Sequence, residues 1–265
     1  MRIYEIWDGE NDLSVGILQY FEKERTYIIE LQDYLDEWTA PLLFSSFVRR
    51  GIYTMPRQES YLWVKERVIP SGRQNIAAIL TNHKMAEYDE MKMLEISKGK
   101  CSQDSLYIKK TNALPTYVLE RQKKNLVDCC LCDEHAVLCF FADDTVKKIS
   151  LEQLKDIEGI DKVLKNQSLF ASGMVGTCGY CLTFNDSIDV PAKILYETTM
   201  EIPINKRDFE AFVKRNLWDT TQMCEVLSCT RQNISYLLKK KCLTPLKTDV
   251  KGNLCLKGDV LKNKW

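Results

Sequence analysis

Histidine is nearly missing from this chain: only His83 and His135 occur. Neither has a serine, cysteine or carboxylate partner at a motif spacing, so a nucleophile–histidine triad is not expected. No GxxxxGK(S/T) phosphate loop and no GxGxxG dinucleotide fingerprint is present, which removes the enzymes those loops mark. No apolar run approaches the roughly 20 residues of a membrane-spanning helix. Met1-Arg2 leads directly into the alternating run Ile3-Tyr4-Glu5-Ile6-Trp7 rather than a secretory leader. Overall charge is missing too, since 37 Lys and Arg offset 37 Asp and Glu. These absences lead us to expect a cytoplasmic protein that is not an enzyme, with no cofactor and no membrane partner.

What is present begins with 265 residues, 45% hydrophobic and 28% charged, enough for about two domains, or three if one is small. Eleven cysteines are present, an odd number, and several lie inside apolar periodic segments. Without an export signal they read as reduced thiols. Cys178-Gly179-Tyr180-Cys181 has the spacing of a zinc half-site, and Cys129, Cys130 and Cys132 could supply another. Both groups are expected in strands, where residues three apart point to opposite faces, so buried apolar thiols are the better reading.

The expected fold class is α+β and multidomain. Residues 1–110 form an α+β domain of unknown role, with strands at 2–7, 14–21 and 27–31 and helices starting at 41, 60, 73 and 88. Residues 111–119 read as a linker or first strand, with Pro115 marking the boundary. Residues 111–204 form a small β/α domain, with strands at 126–132, 137–141 and 146–149 and a helix capped by Ser150 with Gln153 in the capping-box position. A longer strand is expected at 175–184. The run Arg73-Gln74-Asn75-Ile76 followed by Leu80 repeats a pattern found near the C-terminus, and the acidic Glu87, Asp89 and Glu90 beside it favour coincidence.

Residues 205–265 carry the nameable chemistry. They hold 13 Lys and Arg against 6 Asp and Glu, whereas the preceding 204 residues hold 24 against 31. A neutral chain split this way is polarised toward an anionic partner. Asp219, Thr220 and Thr221 can cap a helix carrying Met223, Cys224, Val226 and Leu227. Ser228-Cys229-Thr230 makes a turn, and a second helix over 231–240 buries Ile234, Leu237 and Leu238 at the helical period. Two short helices joined this way make a helix-turn-helix. The first turn of the second helix presents Arg231, Gln232 and Asn233, residue types that pair with guanine and adenine edges. Thr230, Ser235, Tyr236, Lys239, Lys240 and Lys247 are placed to position the helix or meet phosphates. A small hairpin is expected at 246–256, turning through 249–253, and Asp259 is expected to cap a last helix.

The order of these elements resembles the winged helix-turn-helix of the MerR and excisionase-like families, over roughly fifty residues. Those families usually have glycine where Ser228 and Lys241 stand. Ahead of it, Leu138-Cys139-Phe140-Phe141 with the Ala142-Asp143-Asp144 turn, residues 146–151 and 164–170, and Asp189-Val190-Pro191 with Leu195-Tyr196 resemble a small bacterial domain family of unknown function. Its members sometimes precede a helix-turn-helix, and its typical glycine in the second turn is Asp144 here.

The expectation is a sequence-specific transcriptional regulator that binds double-stranded DNA with the 231–240 helix in the major groove, as a homodimer on a palindromic site. The first 200 residues would supply dimer contacts or an input, either a small molecule or a partner protein. An antitoxin-like module that grips a partner protein through residues 1–110, with Trp7, Trp38 and Trp63 as candidate anchors, is the alternative. A zinc or redox sensor built on the cysteines is a third.

Overall fold

The computed structural model of the chain describes residues 1–199, 202–250 and 252–264, with backbone alone at 248–250 and 252. The chain divides into two units, Met1–Leu119 and Glu120–Trp265, each mixing helices with antiparallel sheet, in line with the expected α+β class. Residues 111–204 and 205–265, read from sequence as separate segments, share the second unit from residue 120 onward.

In the first unit, the alternating runs pair as expected. Strands β1 (Arg2–Asp8), β2 (Leu13–Phe21) and β3 (Thr26–Leu31) form a meander. Helices α1 (Leu42–Arg49), α2 (Arg57–Lys65), α3 (Ile76–Asn82) and α4 (Glu90–Ser97) follow. Strand β4 (Leu106–Thr111) then pairs with β1, giving the order β3-β2-β1-β4. Tyr4, Ile6, Leu18, Ile29 and Leu31 bury against Phe44, Trp63, Val64, Met91 and Leu94. Trp63 is therefore core and not an exposed anchor.

The reading of 111–119 as linker or strand is corrected: the segment holds the start of α5 (Thr116–Gln122). Pro115 opens this helix, its carbonyl accepting from the Val118 and Leu119 amides at 3.1 and 3.2 Å. Val118 is fully buried against Ile3 and Ile17. That partnership spans the whole unit, so no local pattern announces it. The repeated Arg73-Gln74-Asn75 lies in the turn before α3, whereas Arg231-Gln232-Asn233 opens a helix, so the two runs differ in structure.

The second unit begins with β5 (Leu126–Leu131), β6 (Ala136–Phe141) and β7 (Val146–Ser150), a three-stranded antiparallel sheet in that order. Glu134 and His135 both have positive φ, the geometry of a two-residue hairpin loop whose twist matches the strands. Ser150 caps a short 3-10 turn through the Glu152 amide, but the expected capping box is not formed, and the Gln153 Oε1 is buried with no hydrogen-bond partner among the described residues. Helices α6 (Ile160–Lys165) and α7 (Gln167–Ala171) lead to β8 (Met174–Val175), β9 (Cys181–Phe184) and β10 (Ile188–Pro191), a second small sheet, and then α8 (Ala192–Glu197).

The continuous strand expected at 175–184 is interrupted, which corrects the placement of Cys178: it sits in a tight turn at φ +48, while Cys181 begins β9. Gly179 explains the break. It packs so close to β5 that a Cβ there would lie 2.0 Å from the Leu126 carbonyl oxygen.

The unit closes with α9 (Lys206–Asn216), β11 (Leu217–Trp218), α10 (Thr220–Val226), α11 (Arg231–Lys239), β12 (Lys247–Val250), β13 (Gly252–Leu256) and α12 (Lys257–Lys262). The strands form a sheet in the order β11-β13-β12. The hairpin is tighter than expected, since residues 249, 250, 252 and 253 belong to strands; Lys251 of the expected turn and the terminal Trp265 lie outside the described residues.

Candidate functional site

The pair α10–α11 is built from local chemistry. Asp219 caps α10, accepting from the Thr221 and Gln222 amides at 2.8 and 2.9 Å, and Gln222 returns the bond to the Asp219 amide. This capping box satisfies the otherwise free donors of the first turn. The helix ends in a reversal at Ser228, φ +49, with Cys229 N donating to Cys224 O at 3.0 Å and Ser228 N to Glu225 O at 3.2 Å. That is the Schellman pattern. It brings Cys224 and Cys229 together as the apolar contact that accompanies such an ending, both packed on one core. Thr230 then caps α11 through the Asn233 amide. The same ending recurs after α11, where Lys241 has φ +58 and Cys242 N donates to Leu237 O.

Met223, Ile234, Leu243, Cys255 and Val260 are buried together and hold the two helices on the sheet. The opposite face of α11 is open. Arg231, Gln232, Asn233, Ser235, Tyr236, Lys239 and Lys240 are all exposed, as are Thr230 and Lys247. By the helical period, Gln232, Ser235, Tyr236 and Lys239 lie at the centre of that face, with Arg231 and Asn233 at its two edges. Four of these side chains have partial commitments. Arg231 lies 3.5 Å from the Thr221 hydroxyl, Ser235 donates to the Arg231 carbonyl, and Lys240 sits over the Tyr236 ring at 5.8 Å. Thr230 is committed as a cap, so it positions the helix.

The ion pairs of this segment are all elsewhere. They are Lys148–Asp208, Lys206–Glu210, Lys257–Asp128 and Lys262–Asp259, which leaves Arg231, Lys239, Lys240 and Lys247 without a carboxylate among the described residues.

Sequence reasoning did not foresee how this segment is anchored within the second unit. The outer edge of β5 is capped by side-chain donors: Asn216 Nδ2 and Lys257 Nζ reach the Cys129 carbonyl at 2.9 and 2.8 Å, and Arg215 reaches the Leu131 carbonyl at 2.5 Å. Asp128 accepts from Lys257 Nζ at 2.9 Å and from the Gly258 amide at 3.1 Å. It thus serves the start of α12, a role expected of Asp259, which instead lies inside the first turn, while Leu256 is the N-cap and makes no side-chain bond. A second anchor is the buried pair Lys148–Asp208 at 2.8 Å. Burial alone would push the Asp208 carboxyl up, but Lys148, the Asn205 amide and the Cys132 thiol outweigh it and hold Asp208 below the ordinary carboxylate range.

Burial pushes the Cys129 thiol up to about 12 and Cys139 well above its ordinary value. Cys132 shares a hydrogen bond with Cys130, which holds Cys130 down and pushes Cys132 up. Among the described residues no group of three or more His, Cys, Asp and Glu side chains is arranged to hold a metal ion. Among the described residues no helix is long and apolar enough to cross a membrane. No family model, curated protein or solved structure matches the chain.

Proposed function

We propose that the chain is a sequence-specific DNA-binding regulator whose residues 205–265 act as a winged helix-turn-helix, with α11 entering the major groove. One observation carries the reading: α11 offers solvent a face of Arg, Gln, Asn, Ser, Tyr and Lys side chains, while its other face is locked onto a small core. Arg231 and Gln232 are the first base readers, because bidentate Arg–guanine and Gln–adenine pairs need donors at the tip of a helix. Asn233, exposed at the edge of the same face, joins them. Lys239, Lys240 and Lys247 meet phosphates, and the β12–β13 hairpin lies alongside as the wing. The module is small, so two copies on a palindromic site are expected.

Selection of bound sequences from a random DNA pool, run at two salt concentrations, tests the reading. An enriched motif whose recovery falls at high salt supports it; a pool with no enriched motif overturns it. The function needs no catalytic group, and we assign none.

A second reading is favoured by a separate observation. Trp38 and Leu42 are 86% and 90% exposed, and Tyr34 is half-exposed nearby in sequence. Large exposed apolar side chains of this kind mark partner surfaces. In that reading the first unit grips another protein, and DNA binding represses the chain's own gene. A specific partner captured by the full chain and lost in Trp38→Ser with Leu42→Ser would favour it.

A further inference from the structure

A cavity of about 370 Å³ lies within the second unit, at the lower end of the range for small-molecule sites. Its walls come from distant parts of the chain: the β5 edge, the 133–135 turn, α7, the last residues of α9 and the first of α12. Three features make it a binding site and not a packing fault. Asn216 is fully buried and lines the cavity, and its Oδ1 has no hydrogen-bond partner among the described residues, while its Nδ2 is fixed on the Cys129 carbonyl. A buried acceptor left open costs about 1–3 kcal/mol, so a donor supplied by a ligand would be stabilising there. The cavity also carries both signs of charge: Arg215 and Lys257 on one side of the sequence, Asp133 and Glu134 in the hairpin loop. Arg215 donates one N–H to the Leu131 carbonyl, and the rest of its fork has no partner among the described residues. Finally, Phe170, Leu131 and Ala171 give the wall an apolar part beside its charged groups.

We propose that this cavity binds a free α-amino acid. Its carboxylate is met by the Arg215 guanidinium and its ammonium group by the Asp133 and Glu134 carboxylates, and the Asn216 Oδ1, closed off in this structure, takes a share when its side chain turns toward the occupant. The side chain lies toward Phe170. The site sits where α9 ends and α12 begins, so an occupant touches both roots of the α10–α11 segment. It locates the small-molecule input of the regulatory reading and rests on that reading for its purpose. Binding itself is read on the chain alone, independently of DNA.

Thermal melts of the full chain, each with one of the common L-amino acids at about 5 mM, test the proposal, since a ligand that binds only the folded state raises the melting temperature. At least one is expected to raise it by about 3 °C or more. Ala171→Trp fills the cavity from an exposed wall position and should abolish the shift. Gln167→Trp, on the same helix and also exposed, does the same should the first variant fail to fold. Arg215→Gln should weaken the apparent affinity at least tenfold. The proposal is overturned if no amino acid shifts the melt, or if a shift survives in a folded tryptophan variant.

Discussion

Asp144, Ser228 and Lys241 all have left-handed φ, at +68, +49 and +58. An L side chain at such a position costs about 1–2 kcal/mol, part of which glycine returns through the greater freedom of its unfolded chain. Each of Asp144→Gly, Ser228→Gly and Lys241→Gly is therefore expected to stabilise the second unit by about 0.5–1 kcal/mol, read as a rise in urea midpoint at constant slope. A loss of stability would show that the side chains there make contacts that outweigh the strain. Asp208 makes the stability of the second unit depend on pH. Its carboxyl titrates below its unfolded value, so its contribution is fully present above the ordinary carboxylate range near pH 4 and is lost as pH falls through the folded value. Acid unfolding of the second unit should become less steep in Asp208→Asn. That variant also strands Lys148 in a buried place and should cost about 3 kcal/mol at neutral pH.

The helix α11 is where element-scale reasoning has most to say. Its caps, its period and its first-turn residues are all local, so its start and its outward face were legible from residues 219–241 alone. The double variant Arg231→Ala with Asn233→Ala is expected to leave the fold intact, because neither side chain is buried, and to reduce specific DNA affinity by at least a hundredfold. Retained specificity and unchanged salt dependence in that variant would sink the DNA-binding reading. The helix α12 was legible only as an element. Its cap was assigned to Asp259 by proximity, but Asp128, 130 residues away, accepts the Gly258 amide and the Lys257 ammonium group. Removing that carboxylate by Asp128→Ala should cost about 2–3 kcal/mol and speed amide exchange through α12 before the rest of the unit.

At the scale of the whole molecule, the charge split of the sequence takes a physical form. Six cations of residues 205–265 illustrate it: Lys257 and one arm of Arg215 hold the β5 edge, while Arg231, Lys239, Lys240 and Lys247 face solvent. On the DNA-binding reading, the four solvent-facing cations release counterions from DNA. With each phosphate contact contributing about −0.9 to the slope of log affinity against log salt, Lys239→Ala with Lys240→Ala should flatten that slope by about two. A slope that does not change would place those lysines away from the backbone. Lys257→Ala, by contrast, should alter stability and leave the slope nearly unchanged.

The sequence by itself determined the features that depend on neighbours along the chain. These are the alternating strands of the first meander, the tight turn at 133–135, the caps of α10 and α11, and the polar outer face of α11. Each follows from a period or a side chain reaching its own backbone within a few residues. Only the tertiary structure decided that 116–122 is a helix, because Val118 gains its burial from Ile3 and Ile17. It also broke the 175–184 strand, because Gly179 must pass close to the Leu126 carbonyl. The same holds for the anchoring of the C-terminal helices on β5 and for the cavity that anchoring encloses. Asp128, Asn216 and Lys257 look like ordinary surface residues until the fold removes water from around them, and their roles come from that removal and not from any spacing in the chain.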